Sequence, residues 1–212
     1  MALATAAEVK VLFPQLTGTS LDTDLGTYIT RAEEALATYC GFPAIDGAAP
    51  VLEQATYTMY LTDALDCDHA EVLHLPLRPV VSITSVHDDE DRAYGSSSEV
   101  TTYDLDKSHG RLILTGTSTH AWTQTFESIK VIGVFGLTTG SIPEYVKQAV
   151  AVTIKANWDK RHHNNVDQVQ TGGDNTVFTK REFFLPPEAK QLIAPLVLHE
   201  RKMSGSQEVR FG

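Results

Sequence analysis

The chain has little cysteine, no long apolar run and no export leader, and each shortage counts against a class of protein. Its 212 residues contain two cysteines, Cys40 and Cys67, too few for a disulfide scaffold and without the CxxC spacing of a metal or redox motif. Cys40 falls at the apolar end of a predicted helix, so we expect a buried thiol. No run of about 18 apolar residues and no basic-then-apolar leader occurs, so we expect neither a membrane span nor export.

Positive charge is also scarce. Seventeen lysines and arginines are outnumbered by 27 aspartates and glutamates, which gives a formal charge of -10. Such a surface repels the phosphate backbone, so we expect no gripping of nucleic acid through counterion release. DNA sliding past the protein is compatible with this charge, because a negative wall holds a polyanion at a distance.

Catalytic and metal-binding motifs are missing as well. The eight histidines form no HExxH or His-x-His motif, and neither a G-x-S-x-G elbow nor a P-loop lysine occurs. The acidic run from Asp88 to Asp91 lacks the glycine and glutamate of a calcium loop, so we expect it to be solvated. We therefore predict no catalytic residue, no cofactor and no metal. The alternative is a small metal-dependent hydrolase built on residues 63–91, with His69 and His74 as candidate ligands.

Apolar residues at helical spacing predict two long helices and one short helix. Gly41 provides the C-terminal stop of the first long helix. Ser141 and Glu144 have the S-x-x-E spacing of a capping box at the start of the second. In chain order the predicted helices are 22–40, 142–161 and 187–195, and residues 5–13 form a short amphipathic piece that Pro14 stops.

The region 53–135 has the patterns of several strands. A helix stays open as an alternative for its first segment. Gly110 can take the positive φ of a hairpin turn, and Trp122, in a polar loop, is expected to pack back on the body. The strand segments are 53–62, 72–77, 80–86, the hairpin of 103–106 with 111–114, and 129–135, which has the pattern of a central strand.

Two polar segments complete the chain. Residues 162–180 contain a Gly-Gly pair and are predicted to be a mobile loop. Residues 197–212 have no apolar period and carry three basic against two acidic side chains, whereas the rest of the chain is strongly acidic. We therefore predict an α+β fold: one domain over 1–196, with a helical core and a small antiparallel sheet and hairpin region, followed by an extended C-terminal arm.

Three motifs in a fixed order carry a resemblance to a known family. Leu75 to Ile83 reads L-x-x-x-P-V-x-S-I, Tyr103 to Leu112 reads Y-x-L-D followed by G-R-L, and Ile142 to Val150 reads I-P-x-x-V-x-x-A-V. This order, behind an N-terminal helix, resembles the head-tail connector proteins of tailed bacteriophages, also called adaptor or head-completion proteins. The resemblance spans residues 20–200.

The resemblance implies a structural virion protein and not an enzyme. It implies a homo-oligomeric ring of about twelve copies, a dodecamer, closed by rotation. The ring would lie in the virion neck between capsid and tail, after assembly in the host cytoplasm, and bind the portal on one side and a neck stopper or tail-completion protein on the other. DNA would pass through its channel during genome ejection without specific binding, and no membrane would be involved. A tail-completion or tail-terminator ring is the alternative.

By the same analogy, three groups of residues are expected to make contacts. The acidic loop would face the lumen or the tail side, and the C-terminal arm would dock on the portal. Phe183, Phe184 and Leu185 are expected to be partly intersubunit, with packing inside the monomer core as the alternative. Free copies could also be monomeric and associate only on the portal. The loop residues are Asp88, Asp89, Glu90 and Asp91, and the arm residues are His199, Arg201, Lys202, Val209, Arg210 and Phe211.

Overall fold

A computed structural model describes most of the chain and gives an α+β fold, as the sequence predicts. The chain divides into two compact units, one formed by residues 1–52 and 139–195 and the other by 53–138 and 196–212. The expected boundary between a domain and an arm at residue 197 stays a prediction. The described residues are 3–13, 19, 22–45, 47–62, 65–66, 69–115, 121–123, 125–138, 140–162, 183–197 and 209–211.

The first unit is helical: its described residues contain the three predicted helices, and the amphipathic piece 5–13 forms a further helix. Gly41, with a φ of +83°, ends the second helix; its N–H donates to Thr38 O and that of Phe42 to Ala37 O, the paired bonds of a Schellman motif. Within the described ranges, no helix is long and apolar enough to cross a membrane. The helices are α1 (Ala6–Leu12), α2 (Asp22–Tyr39), α3 (Glu144–His162) and α4 (Pro187–Ile193), which a 3₁₀ turn (Ala194–Leu196) extends.

Contacts of α3 with α2 and α4 build the core of this unit. Leu25 and Leu36 of α2 and Ile154 of α3 are fully buried. Burial of such a side chain contributes about 2 kcal/mol, so these contacts dominate the stability of the helices. Tyr28 and Trp158 add a tilted ring contact with centroids 5.4 Å apart.

Among its described residues, the second unit contains two antiparallel four-stranded sheets. The first sheet has the order β4-β7-β1-β8 and the second β2-β3-β6-β5. Strands occur in every predicted segment, the hairpin is confirmed, and the helical alternative for 53–62 is wrong. The strands are β1 (Ala55–Leu61), β2 (Leu65–Asp66), β3 (His69–His74), β4 (Val80–Asp88), β5 (Tyr103–Asp106), β6 (Arg111–Leu114), β7 (Ile129–Phe135) and β8 (Val209–Phe211).

β7 lies between β4 and β1, which confirms the predicted central strand. Gly133 sits at its middle, opposite Tyr57 of β1. A Cβ at this position would lie 2.8 Å from Ser82 O and 2.9 Å from the Ile83 side chain. Glycine is therefore required where β4, which carries two register shifts, approaches β7 closely.

The C-terminal strand β8 is a feature that the sequence analysis does not predict. It pairs with the outer edge of β1, with Arg210 opposite Tyr60 and Phe211 opposite Met59. Three of the predicted docking residues, 209–211, therefore belong to the first sheet. The other three, at positions 199, 201 and 202, lie outside the described residues, as does the predicted mobile loop beyond His162.

Candidate interaction surfaces

The acidic loop follows β4, and its four carboxylates have different environments. Asp88 is 9% exposed, and its Oδ2 accepts a hydrogen bond from Thr123 N at 2.9 Å. Asp89 is half-buried, whereas Glu90 and Asp91 are exposed. The expectation that the whole run is solvated is therefore wrong for Asp88. This residue continues the inward alternation of β4, so the period of the strand carried the signal for its burial.

Asp89 builds the turn that presents the two exposed acids. Its Oδ1 accepts from Asp91 N at 3.0 Å, and its Oδ2 accepts from Tyr94 N at 2.8 Å. Arg92 and Tyr94 have φ values of 59° and 50°, which non-glycine residues adopt only when other contacts hold them there. The two bonds of Asp89 are such contacts. The backbone of this exposed loop is therefore held in one defined conformation.

A stack of aromatic and cationic side chains connects this loop with β8. The rings of Tyr60 and Tyr94 lie 5.5 Å apart, and Lys130 Nζ lies 5.9 Å and 5.3 Å from their centroids. Arg210 Cζ lies 4.7 Å from the centroid of Tyr60. Its Nε is 3.0 Å from Oε1 of Glu127, and Glu127 O accepts from the Tyr94 hydroxyl. Arg210 is therefore engaged within its own chain by an ion pair and a cation–π contact.

Phe211 also contacts its own sheet. Its ring lies 6.5 Å from that of Tyr57 in an edge-on arrangement. Side chains as well as backbone pairing therefore hold β8 in place. Sequence reasoning missed the partners of β8, because their proximity depends on the register between strands far apart in the chain. These partners are Tyr57, Tyr60 and Glu127, with Tyr94 and Lys130 in the same stack.

The hairpin between β5 and β6 forms a second polar surface. Oδ1 of Asp106 accepts from Ser108 Oγ at 2.6 Å and from His109 N at 3.1 Å. Its Oδ2 lies 2.7 Å from His109 Nδ1 and accepts from Arg111 Nη2 at 3.1 Å. The Ser108 hydroxyl, followed by His109 and Arg111, holds the pKa of Asp106 well below its usual range, although partial burial opposes the shift.

Gly110 completes this turn and makes room for a distant arginine. Its φ is +60°, as the sequence predicts, and a Cβ there would lie 2.9 Å from Arg78 Nε. The Leu75 N–H donates to Gly110 O at 2.8 Å, which holds the turn against the segment that carries Arg78. The side chains that give the tip its positive character are those of Lys107, Arg78 and Arg111.

Phe183, Phe184 and Leu185 lie on the helical unit. The side-chain amide of Asn157 binds both backbone groups of Phe184, accepting from its N at 2.9 Å and donating to its O at 2.7 Å. The ring of Phe183 lies 6.2 Å from that of Tyr28, whereas Phe184 is 38% exposed. Phe183 thus packs inside its own unit, and an intersubunit contact of the group stays a prediction.

Helix α1 carries a further apolar surface. Val11 is 79% exposed and Leu12 is 40% exposed. Beside them, a cavity of about 140 Å³ is lined by residues of α1 and α3. The Lys147 ammonium donates to Glu8 and, with the bonds from Thr5, lowers the pKa of Glu8 to about 2. This ion pair joins the two helices.

Groups that could perform chemistry are sparse in the described part of the chain. No three His, Cys, Asp or Glu side chains gather there as a metal site requires. Cys40 is 4% exposed, which confirms the expected buried thiol, and burial raises its pKa to about 12. Trp122 is buried as expected, and its Nε1 donates to Glu71 O at 3.2 Å. The hydrolase alternative thus gains no support from the described residues.

Comparisons with known proteins give one family over almost the whole chain. The family described as head completion protein matches residues 2–196. A chain from the virion of a native gene transfer agent (GTA) particle aligns with a TM-score of 0.51 at 16% identity, covering 92% of this chain and 89% of that chain. At 16% identity, this similarity shows only that the two chains share a fold. No curated protein matches the sequence.

Two further solved structures have similar chains. The neck of a native GTA particle computed with C12 symmetry gives a TM-score of 0.47 at 17% identity, covering 93% of this chain and 92% of that chain. The neck of an empty GTA particle computed with C6 symmetry gives 0.49 at 16% identity, covering 91% and 88%.

Proposed function

The chain belongs to the head completion protein family, and from that premise we propose that it is a head-tail adaptor. Its copies form a ring in the virion neck, join the portal to the neck or tail and extend the DNA channel. The family match over residues 2–196 is the observation that carries this proposal. The role is structural, and no step of it requires a catalytic group.

The physical properties of the chain support such a ring. A formal charge of -10 per copy, repeated around a channel, repels a polyanion and favours its passage over its capture. The second unit presents exposed carboxylates on the acidic loop and cationic groups at the hairpin tip. A closed ring of identical copies needs two different patches on each copy, because neighbours meet head to tail.

The terminal arm is the part that we propose docks on the portal. It carries Arg201 and Lys202 in a strongly acidic chain, so it suits an acidic partner surface. Arg210 already pairs with Glu127 and stacks on Tyr60 in its own chain. We therefore propose that the segment around 199–202 makes the docking contact while β8 remains on its sheet.

Purified protein mixed with portal rings tests the adaptor role. We expect the two to co-sediment and electron micrographs to show a collar on one face of each portal. A tail terminator would leave the portal bare and bind a tail tube instead, which would refute the proposal.

Charge reversal tests the docking segment. Arg201→Glu with Lys202→Glu is expected to weaken portal binding about tenfold, because it replaces attraction by repulsion at the contact. Arg210→Ala is the matched control, since its cation is used within the chain, and portal binding should stay within about twofold of the wild type. If both variants weakened portal binding equally, Arg210 would also be part of the docking contact.

A further inference from the structure

Two arginines from distant parts of the chain form a corner at the hairpin tip. Arg78 lies between β3 and β4, and its side chain packs against Gly110. Arg111 is the next residue after Gly110 and begins β6. Burial lowers the pKa of Arg78, the positive charge of Arg111 lowers it further, and Asp106 opposes the shift. Because the Arg78 side chain lies against Gly110, the residue directly before Arg111, the two guanidinium groups are near each other, an arrangement that an anion would stabilise.

Both guanidinium groups keep donors that no described residue uses. Nε of Arg78 and Nε of Arg111 are buried without a hydrogen-bond acceptor among the residues that the structure describes. Asp106 accepts one hydrogen bond from Arg111 Nη2, but its carboxylate oxygens also bond to Ser108 and His109. A guanidinium has five N–H donors in a planar fork that matches a carboxylate. These two Nε atoms are closed to solvent, so the donors that a second anion can reach are the Nη groups of the half-buried Arg78, for which no described residue supplies an acceptor.

The acidic loop of the same chain offers suitable anions. Glu90 and Asp91 are exposed, and neither carboxylate bonds to a described residue. The Asp89 hydrogen bonds fix the backbone of the turn that carries them, so little backbone entropy is lost when these carboxylates bind. Among the described residues of one copy, these carboxylates and the arginine corner do not pair.

We infer that Glu90 and Asp91 of one copy bind the Arg78–Arg111 corner of a second copy. This inference rests on the proposed ring, in which each copy offers one patch to each neighbour. Copies with a net charge of -10 repel one another, so a contact between them requires local pairing of opposite charges. DNA phosphate is the other anion that arginines bind, but an acidic chain disfavours its approach. The observations therefore favour a carboxylate from a second copy.

Charge reversals on the two sides of the contact test this inference with full-length protein on portal rings. Glu90→Arg with Asp91→Arg makes the loop positive, and Arg78→Glu removes the excess positive charge of the corner. Each variant alone is expected to lower the fraction of portals with collars about tenfold. An equal mixture of the two should restore collars. Alternating copies then place every positive loop on a corner in which glutamate replaces Arg78, and every acidic loop on an intact arginine corner.

Matched controls and a folding check accompany these variants. Asp104→Arg, on β5, and Glu188→Arg, on α4, reverse exposed acids elsewhere and should leave collar formation within about twofold of the wild type. Circular dichroism and thermal melting report whether Arg78→Glu folds. If it does not fold, the loop variant at the exposed turn still decides, because its loss of collars supports the contact and normal collars overturn it.

The remaining outcomes separate this inference from the proposed function. If the wild-type protein and both variants all form normal collars, the inference is overturned and the adaptor role stays intact. The same holds if the variants lose collars and mixing the loop variant with a folded Arg78→Glu protein does not restore them. An absence of collars with the wild-type protein would overturn the adaptor role and this inference with it. Binding of a duplex oligonucleotide at low salt tests the phosphate alternative. If Arg78→Glu abolishes this binding and the loop variant preserves it, the corner binds phosphate and the inference is overturned.

Discussion

The acidic loop and the hairpin tip use the same device to make opposite surfaces. In each, one aspartate accepts bonds from groups two to five residues ahead along the chain. Asp89 accepts from Asp91 N and Tyr94 N, and Asp106 from Ser108 Oγ and His109 N. The loop leaves two carboxylates exposed, whereas at the tip Lys107 is exposed and the half-buried Arg78 and Arg111 add positive charge. An acidic residue in a sequence is therefore a poor guide to the charge that its surroundings present.

The largest expected effect on stability is a difference between alanine substitutions at the glycines of the two turns. Gly110→Ala should lower the free energy of unfolding by about 2 kcal/mol, because φ is +60° and the new Cβ would displace Arg78. Gly95→Ala, beside the acidic loop, is the control: its φ is -72° and its nearest neighbour would be 3.9 Å away. Urea denaturation measures both. Equal losses would show that Gly110 has no special role.

A smaller effect is expected from the aspartate of the acidic loop. Asp89→Ala removes two bonds that hold the positive-φ segment, so we expect a loss of about 1 kcal/mol in the free energy of unfolding. Asp91→Ala changes an exposed side chain and should have an effect below about 0.5 kcal/mol. Urea denaturation again decides, and an unchanged Asp89→Ala protein would mean that the loop holds its shape without this residue.

The smallest effect concerns pH and the aspartate of the hairpin tip. The pKa of Asp106 is lowered in the folded protein, so its ionised form stabilises the fold above the unfolded value of about 4. This stabilisation is lost as the pH falls from about 4 toward the folded pKa. Asp106→Asn should therefore be less stable than the wild type at neutral pH, and the difference should shrink below about pH 4.

The measurement is the urea midpoint of wild-type and Asp106→Asn proteins between neutral and acidic pH. Asp91→Asn is the control for removal of one negative charge, since its exposed carboxylate bonds to no described residue, and its midpoint should follow the wild type. A pH-independent difference for Asp106→Asn would mean that the carboxylate contributes through shape and not through charge.

Periodicity predicts the elements of the fold but not the contacts between them. Helical spacing indicates α2 and α3, and the alternation over 53–62 indicates β1, because these patterns reflect burial within a single element. Pairs such as Tyr60 with Arg210, or Arg78 with Gly110, depend on how distant segments align. No pattern within one segment records that alignment. β8 escapes prediction for a related reason, since three residues are too few to show a period.

For the candidate surfaces too, the sequence predicts some features and not others. Composition identifies the acidic loop, but the separate roles of Asp88, Asp89 and the two exposed acids emerge only from their hydrogen bonds and burial. The arginine corner has no sequence signal, because Arg78 appears only as a variable position in its motif. Composition thus locates charge along the chain, while the fold decides which charges remain available.

The short strand β8 also bears on what can add to the first sheet. It ends the first sheet with three residues and an exposed arginine at its centre. Short strands with charged side chains are poor templates for further strands, so they protect a sheet from edge-to-edge growth. This edge of the first sheet therefore resists the open-ended addition of strands that builds fibres.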